Sequence, residues 1–432
     1  MTAARALPAG VPDKLAITLW DFSWYVRSGP GEPFENLDRA FTEAAERGYN
    51  TIRICAMPFL LFGSGIDTTS LTLGPLGGKY AQRVRWYNVQ AKTTIDGRSR
   101  LLELFRTAKA HGFFLILSSW EYQQSSSFAT DRTWYDALMA IDPEQRAERL
   151  ADALADMIDF LAEHGLDDRV AFTEIHNEVQ VGHLTEGLIT HIVGDHDEFV
   201  LALKPRLERA VDRFHERHPS LLCTVNYARV PIGVMRGIPD NIDVLVTHPY
   251  VYGVLDEFVA TFGLRGPIDA FPQERAAQTF LLPDAPPIAS WTLPDADRWK
   301  LDATIISKGE IYAHDWGDAQ AIDRWLYDHY GEHRLEMESK LNAWVSVAAD
   351  WAAARGIPVV FGEGWVGYTP LEGTFEEGPV GSEFCRLAAR EAARVNAWGS
   401  IVCSNAAPQH PMWDDIELQK ECNALLSAPY SP

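Results

Sequence analysis

Cysteine is scarce in this chain of 432 residues, and it follows no pairing pattern. The five cysteines are odd in number, and Cys55, Cys223 and Cys403 lie inside apolar stretches typical of strands. This distribution favours reduced, buried thiols over a disulfide framework. No Cys-x-x-Cys pair or Cys/His cluster is present, so we expect no structural zinc site and no metal or other cofactor.

Positive charge is also sparse. There are 38 Lys and Arg residues against 60 Asp and Glu, which gives a formal net charge of −22. This charge would repel nucleic acid and anionic membranes, so we expect neither as a partner. No apolar run is long enough to span a membrane, and the Ala- and Pro-rich segment 1–14 lacks the apolar stretch of a secretory signal. We therefore expect a cytoplasmic protein, and the sequence carries no indication of its oligomeric state.

Strand-like and helix-like patterns alternate along the whole chain, whose hydrophobic content is 47%. Strands are predicted at 15–24, 51–57, 114–120, 170–177, 221–227, 243–250, 358–362 and 400–404. Helical patterns separate most of these strands. Eight repeats of this kind predict an α/β protein, a (β/α)₈ TIM barrel. We expect one catalytic domain over 1–432, with long loops at the C-terminal face and lid-like insertions at about 58–98, 120–142 and 254–320.

Two glutamates stand at the ends of two predicted strands. Glu178 ends the fourth strand, and Glu363 follows the seventh. Because the C-terminal ends of barrel strands meet at one face, these two carboxylates can face one pocket. A facing carboxylate pair is the minimal equipment for cleaving a glycosidic bond, which favours a glycoside hydrolase acting on a carbohydrate.

The alternation of side chains along a strand predicts the neighbours of these acids. Glu174 and Glu178 share one parity, and polar side chains at these positions would be unfavourable against the surrounding helices. They should therefore point into the barrel. Arg53 has the inward parity on the second strand and is the expected ion-pair partner of Glu174. His248 and Tyr250 share a parity at the end of the sixth strand.

Aromatic residues are frequent near the predicted strand ends and in the long loops. Indole and phenol rings can cover the apolar face of a sugar while their polar edges bind hydroxyls. Most of these rings are expected to pack the lids onto the barrel. The candidates for contact with substrate are Trp20, Trp120, Trp316 and Trp365.

Four short motifs carry a family resemblance. They are Ile-Arg-Ile at 52–54, Asn-Glu at 177–178, His-Pro-Tyr at 248–250 and Phe-Gly-Glu-Gly-Trp at 361–365. In this order they resemble the motifs of the large clan of retaining glycosidases on (β/α)₈ barrels, closest to its cellulase-like members. The strand order agrees from about residue 15 to about residue 410, although the motifs themselves are short.

The resemblance implies a role for each motif residue. Glu178 would be the acid/base and Glu363 the nucleophile of a double displacement through a covalent glycosyl-enzyme. Arg53 and Tyr250 would keep Glu363 ionised. Asn177 would bind the sugar 2-hydroxyl, and His248 would also contact substrate. A β-linked oligosaccharide or glycoside is the expected substrate.

The sequence departs from the cellulase-like pattern at several positions. Val179 stands where those members usually have Pro, His176 precedes the Asn-Glu pair, and the third strand ends in Ser-Ser-Trp-Glu without the His often found there. Trp413 is the best candidate for the aromatic platform near the eighth strand, but it lies well beyond that strand. These differences bear on the identity of the sugar more than on the reaction.

Three alternatives stay open. The protein could be a catalytically inactive barrel that binds sugar. It could be a metal-dependent barrel hydrolase, although the strand ends lack the inward His-x-His or clustered Asp ligands that such enzymes use. Finally, Glu121 or Asp315 could replace one member of the acid pair, because a loop carboxylate can move into a pocket.

Overall fold

Eight parallel strand positions close into a barrel in this computed structural model, which describes residues 5–189 and 196–428. The strands are β1 (Leu15–Asp21), β2 (Thr51–Cys55), β3 (Phe114–Ser118), β4 (Val170–Glu174), β5 (Cys223–Thr224 and Asn226–Tyr227), β6 (Leu245–Thr247), β7 (Val359–Phe361) and β8 (Gly399–Ile401). The two pieces of β5 pair with β4 and with β6, and β8 pairs with β1, so the ring is complete. The predicted (β/α)₈ barrel is confirmed.

Helices cover the outside of the barrel between most strands. They are α1 (Leu37–Glu46), α2 (Gly97–His111), α3 (Arg146–Glu163), α4 (His196–Arg217), α5 (Ala319–Ala353), α6 (Pro379–Arg394) and α7 (Ile416–Ser427). Side chains of Asn36, Asp96 and Asp318 accept backbone N–H bonds at the starts of α1, α2 and α5, which satisfies donors that the helix itself leaves free. Only a 3₁₀ turn, Met235–Gly237, stands between β5 and β6. In the described ranges, no helix is long and apolar enough to cross a membrane.

The strands end earlier than the sequence predicts, and this affects the site. β1 ends at Asp21 and β4 at Glu174, three residues before the end of the predicted strand in each case. The backbone has a φ of 41° at Asp21, the last residue of β1, and again at Glu178, four residues after β4. Strand alternation therefore does not extend past Glu174. As a consequence, the adjacent residues Asn177 and Glu178 both face the same cavity.

Long loops gather at the C-terminal ends of the strands. After β2, an antiparallel pair of short strands, Leu71–Leu73 and Thr93–Ile95, frames a segment 74–92 that we call the strap. The loop before α5 contains the helices Val254–Thr261, Gln273–Thr279 and Lys308–Trp316. A further helix, Thr133–Met139, follows β3. These loops form walls around the mouth of the barrel.

Candidate active site

A cavity of about 840 Å³ opens at the C-terminal ends of the strands. Its walls include Trp120, Asn177, Glu178, Tyr250 and Glu363. These residues follow β3, β4, β6 and β7, so a cavity at this face collects side chains from strands that are far apart in the sequence. This is the face on which (β/α)₈ enzymes carry their reactive groups.

Arg53 is fully buried beneath this cavity and connects the polar groups of three strands. Its Nη2 donates to Glu174 Oε2 at 2.6 Å and to Asn177 Oδ1 at 2.7 Å, and its Nη1 donates to Glu363 Oε1 at 2.8 Å. Burial alone would lower the pKa of Arg53, but Glu174 and Glu363 together raise it above its ordinary value. Breaking a buried ion pair costs about 3–5 kcal/mol, so the guanidinium is held firmly in one position. The predicted pairing of Arg53 with Glu174 is present.

Glu363 receives hydrogen bonds on both carboxylate oxygens. Arg53 binds Oε1, and the Tyr250 hydroxyl donates to Oε2 at 2.8 Å. Tyr250 in turn lies 2.6 Å from Ser404 Oγ and bonds the hydroxyl of Tyr368. Burial and the Glu363 carboxylate raise the pKa of Tyr250 well above its usual value, so this phenol stays protonated and remains a donor. Two donors, one of them cationic, thus hold the Glu363 carboxylate in one orientation.

The environment of Glu178 differs from that of Glu363. Burial raises its pKa to about 7, and the weaker influences of Arg53 and Gln123 only partly counteract this shift. Its backbone N–H donates to Asn226 Oδ1 at 2.5 Å, which fixes the turn that directs the side chain into the cavity. Its Oε1 lies 2.9 Å from His248 Nδ1. Glu178 can therefore hold a proton near neutral pH.

His248 lies between the two acids. One ligand atom from each of Glu178, His248 and Glu363 lies within 4.8 Å of the other two. Distance alone would allow this trio to bind a metal ion. However, the Arg53 guanidinium lies 2.8 Å from Glu363 Oε1 and would repel a second cation there. Burial lowers the pKa of His248 to about 4, so the ring is neutral at physiological pH.

Gly362 explains how His248 and Arg53 fit beside β7. A Cβ at this position would lie 3.1 Å from His248 Nε2 and 3.4 Å from Arg53 Nε. Both neighbours are fully buried and cannot move aside easily. The glycine that precedes Glu363 in the sequence therefore provides the space for the two residues that contact the acids.

Of the four tryptophans proposed from the sequence as substrate contacts, Trp120 alone lines the cavity. Trp120 lines the cavity and covers the Arg53 guanidinium, whose Cζ lies 4.7 Å from the ring centroid. Trp20 does not line it, because Leu19 and Asp21 take the inward positions of β1 and Trp20 packs against α1. Trp365 is buried and donates to Val402 O at 2.7 Å, and Trp316 also lies outside the cavity. Trp20, Trp316 and Trp365 therefore do not line this cavity.

Glu121 and Asp315, the two loop acids that could replace one of the glutamates, accept hydrogen bonds outside the cavity. Glu121 accepts the backbone N–H groups of Phe59 and Leu60 at 3.0 and 2.8 Å, and Asp315 accepts those of Ala81 and Arg83. Neither carboxylate lines the cavity. Both anchor loops to their neighbours.

Several residues of the cavity wall escaped the sequence reasoning. They lie at the end of β1 or follow β3, β7 and β8: Asp21, Gln123, Tyr368, Asn405 and His410. Asp21 had a usable signal, because it is the one charged residue in the predicted strand 15–24. The others follow strand ends by several residues, where alternation gives no information.

Comparison with known proteins supports the architecture. Residues 17–183 match a family model named cellulase-like and described as "sugar-binding cellulase-like". The matched segment includes Arg53 and Glu178 but ends before Tyr250 and Glu363. This match confirms the resemblance to cellulase-like proteins for that part of the chain. No curated protein matches the sequence.

Three solved structures are similar to this chain, and the first of them supports the fold. A candidate glycoside hydrolase from Parabacteroides distasonis is 18% identical, with a TM-score of 0.65 over 97% of this chain and 95% of that one. A tri-modular GH5 endo-β-1,4-glucanase from Bacillus licheniformis is 12% identical, with a TM-score of 0.48 over 96% of this chain and 60% of that longer one. A family 5 xyloglucanase from Paenibacillus pabuli is 11% identical, with a TM-score of 0.48 over 96% and 98% of the two chains.

Proposed function

We propose that this protein is a retaining glycoside hydrolase in which Glu363 is the nucleophile and Glu178 the acid/base. The observation that carries the proposal is the carboxylate pair itself: an oxygen of Glu178 lies within 4.8 Å of one of Glu363. Retaining enzymes hold their carboxyl groups about 5–5.5 Å apart, and inverting enzymes leave about 6.5–9.5 Å for a water. The two acids also differ in environment, as two opposite roles require.

The reaction has two steps. Glu363 attacks the anomeric carbon while Glu178 gives its proton to the departing glycosidic oxygen, so the glycosidic bond breaks and a glycosyl ester forms on Glu363. Glu178, now ionised, then removes a proton from a water that attacks the same carbon and releases Glu363. The product keeps the configuration of the substrate because the carbon is inverted twice.

The neighbouring groups fit this reaction. Tyr250 and Arg53 hold Glu363 by one oxygen each, which orients the carboxylate without blocking its approach to a sugar. The Asn177 amide nitrogen donates to Gln123 Oε1 at 3.0 Å and has a second hydrogen free for a sugar hydroxyl. Trp120 supplies an apolar wall. The substrate we propose is a β-linked glycoside or short oligosaccharide.

Covalent trapping tests the proposal. Incubation with 2-deoxy-2-fluoro-glycosides that carry a dinitrophenyl leaving group should add one fluoroglycosyl unit to the protein, because the fluorine slows the second step more than the first. Peptide mass mapping should locate this unit on Glu363. With an ordinary aryl glycoside, proton NMR should detect the product anomer of retained configuration first. A label on another residue, or an inverted first product, would contradict the proposal.

The pH dependence follows from Glu178. Since burial raises its pKa to about 7, the acid form required for the first step persists up to that pH and is lost above it. We expect kcat/KM for an aryl glycoside with a poor leaving group to fall tenfold per pH unit above about pH 7. A dinitrophenyl glycoside, which leaves without protonation, should lack this decline. Steady-state kinetics with both substrates across the pH range distinguish the two cases.

Two other functions have specific support. A sugar-binding barrel without catalysis agrees with the description of the matching family, and it predicts binding but no turnover of any aryl glycoside. A metal-dependent hydrolase agrees with the spacing of the Glu178, His248 and Glu363 ligand atoms. It predicts that a chelator abolishes activity and that a divalent cation restores it, whereas the retaining mechanism predicts no effect of either.

A further inference from the structure

We infer that this enzyme removes one neutral sugar residue at a time from the non-reducing end of its substrate. This inference rests on the proposed function, since the roles of Glu178 and Glu363 determine how the substrate is oriented in the cavity. The structural basis is the strap, which closes one side of the cavity next to Glu363.

The acid/base determines on which side the leaving group departs. Glu178 must reach the glycosidic oxygen, so the leaving group lies toward β4 and its neighbours. The sugar that forms the ester with Glu363 extends in the opposite direction, toward β8 and β1, which lie across the barrel from β4. Any further sugars on the non-reducing side would have to pass above the ends of β8 and β1.

The strap crosses this side of the mouth. It starts from the loop after β2, and its Arg85 bonds the loop after β7 through Thr369 O at 2.8 Å, Pro370 O at 3.1 Å and the Glu377 carboxylate. Arg27, which follows β1, donates to the carbonyl of Arg85 at 2.7 Å. Arg85 is thus held by buried charged hydrogen bonds through both its side chain and its carbonyl, which makes this part of the strap a fixed wall rather than a mobile flap.

Further contacts hold the strap from the outside. The Asp315 carboxylate accepts the backbone N–H groups of Ala81 and Arg83, and Arg83 Nη1 donates to Gly317 O at 2.7 Å. Tyr80 stacks on Trp291 with ring centroids 4.0 Å apart. The strap is therefore fixed to the loops on both sides of the cavity.

Trp86 brings this wall close to the nucleophile. Its ring packs edge-on against Tyr368 with centroids 4.3 Å apart. Tyr368 bonds the hydroxyl of Tyr250, and Tyr250 bonds Glu363. Only one tyrosine pair thus separates the indole from the reacting carboxylate. In the proposed orientation of the substrate, the indole therefore stands in the way of a chain that continues beyond the sugar that Glu363 attacks.

The wall presents polar atoms without partners. Six buried atoms of cavity-lining residues have no hydrogen-bond partner in the described structure. Two of them, Gln123 Nε2 and Gln180 Nε2, follow β3 and β4, and the other four are Trp86 Nε1, His314 Nε2, Asn405 Oδ1 and His410 Nδ1. Unpaired buried polar atoms are unfavourable, so these atoms are available to bond a ligand that enters the cavity. Trp86 is a donor, and Asn405 Oδ1 is an acceptor. A hydroxyl is donor and acceptor at once and can satisfy both kinds of atom.

The charge of the closed side selects a neutral sugar. Asp21 contributes a carboxyl group there, whereas the two nearby guanidinium groups, Arg27 and Arg85, are buried and bonded to protein acceptors. Three cationic side chains do line the cavity: Arg229 follows β5, Arg265 belongs to the loop after β6, and Lys340 belongs to α5. An anionic terminal sugar would meet Asp21 without a free cation to balance it.

The test uses the nitrophenyl disaccharide that the enzyme cleaves best, free and with a 4,6-O-ethylidene cap on its non-reducing sugar. Exo-action predicts that the terminal monosaccharide and the nitrophenyl monoglycoside are the first products of the free substrate. The cap should lower kcat/KM at least about 100-fold, since the added atoms collide with the closed wall. Release of the intact capped disaccharide at a comparable rate would overturn the exo assignment and leave the hydrolase assignment standing. Cleavage of neither substrate, nor of any aryl glycoside, would overturn the proposed function itself.

Variants of Trp86 separate closure from hydrogen bonding. Trp86→Ala should open the wall and raise the ratio of the capped to the free rate at least about tenfold. Trp86→Phe keeps an aromatic ring but removes the indole N–H, so it should raise KM and retain the discrimination between the capped and the free substrate. Trp351→Ala, on the outer helix α5, is the control and should behave as the unmodified protein. An unchanged ratio in a folded Trp86→Ala protein would contradict the role of the strap.

Charge selectivity has its own test. The nitrophenyl glycoside of the preferred sugar should be cleaved at least about 100-fold faster than its 6-carboxylate analogue. Asp21→Asn should reduce this preference because it removes the opposing charge. Equal rates for the two glycosides with the unmodified enzyme would overturn the assignment of a neutral sugar.

Discussion

Glu363→Ala should lose at least about 10⁴-fold in kcat, whichever glycoside is used, because no other group can form the ester. Added azide should restore turnover. The small anion can occupy the space of the missing carboxylate and attack the anomeric carbon from the same side. From a β-glycoside the product should be an α-glycosyl azide, since only one inversion occurs. NMR of the isolated azide identifies its configuration.

A control is needed because Glu363 also has structural contacts. Its removal leaves Arg53 Nη1 and the Tyr250 hydroxyl without their acceptor. Arg53 keeps its bonds to Glu174, so we expect the variant to fold, and thermal unfolding checks this. Glu417→Ala changes an exposed glutamate on α7 and should retain full activity. Unchanged activity of Glu363→Ala would exclude it as the nucleophile.

Much of the barrel follows from local patterns in the sequence. Each strand is a short apolar run, and its helix has an amphipathic pattern, so the strand order could be read in sequence. On β2 the isoleucines at 52 and 54 are buried on the helix side, which leaves Arg53 inward and paired with Glu174 as predicted. The pairing worked because both residues lie within regular strands, where alternation decides the direction of a side chain.

The cavity wall could not be predicted in the same way. Residues 175–178 follow no alternation, because the chain turns after Glu174 and reaches φ of 41° at Glu178. The strap is fixed by arginines that bond backbone carbonyls distant in the sequence, as Arg85 does with Thr369. Such contacts have no periodic signal. Trp20 lies outside the cavity because Leu19 and Asp21 take the inward positions of β1 and Trp20 packs against α1.

Glu178→Ala should have an effect that depends on the leaving group. Glycosides whose leaving group requires a proton should lose about 10²–10⁴-fold in kcat/KM, which is the usual contribution of a general acid. A dinitrophenyl glycoside should retain most of its kcat/KM, because that phenolate leaves unaided. Its kcat and KM should both fall, since the glycosyl ester accumulates when no base activates water.

Azide distinguishes the two variants by configuration. In Glu178→Ala it should attack the ester on Glu363 in the second step, so two inversions occur and a β-glycoside yields a β-glycosyl azide. Glu363→Ala yields the α product from the same substrate. His248 lies 2.9 Å from Glu178 and remains in the variant, but burial keeps its pKa near 4, so it cannot supply the proton at neutral pH. Exchanged configurations would reverse the two roles, and the absence of azide products from both folded variants would remove both assignments.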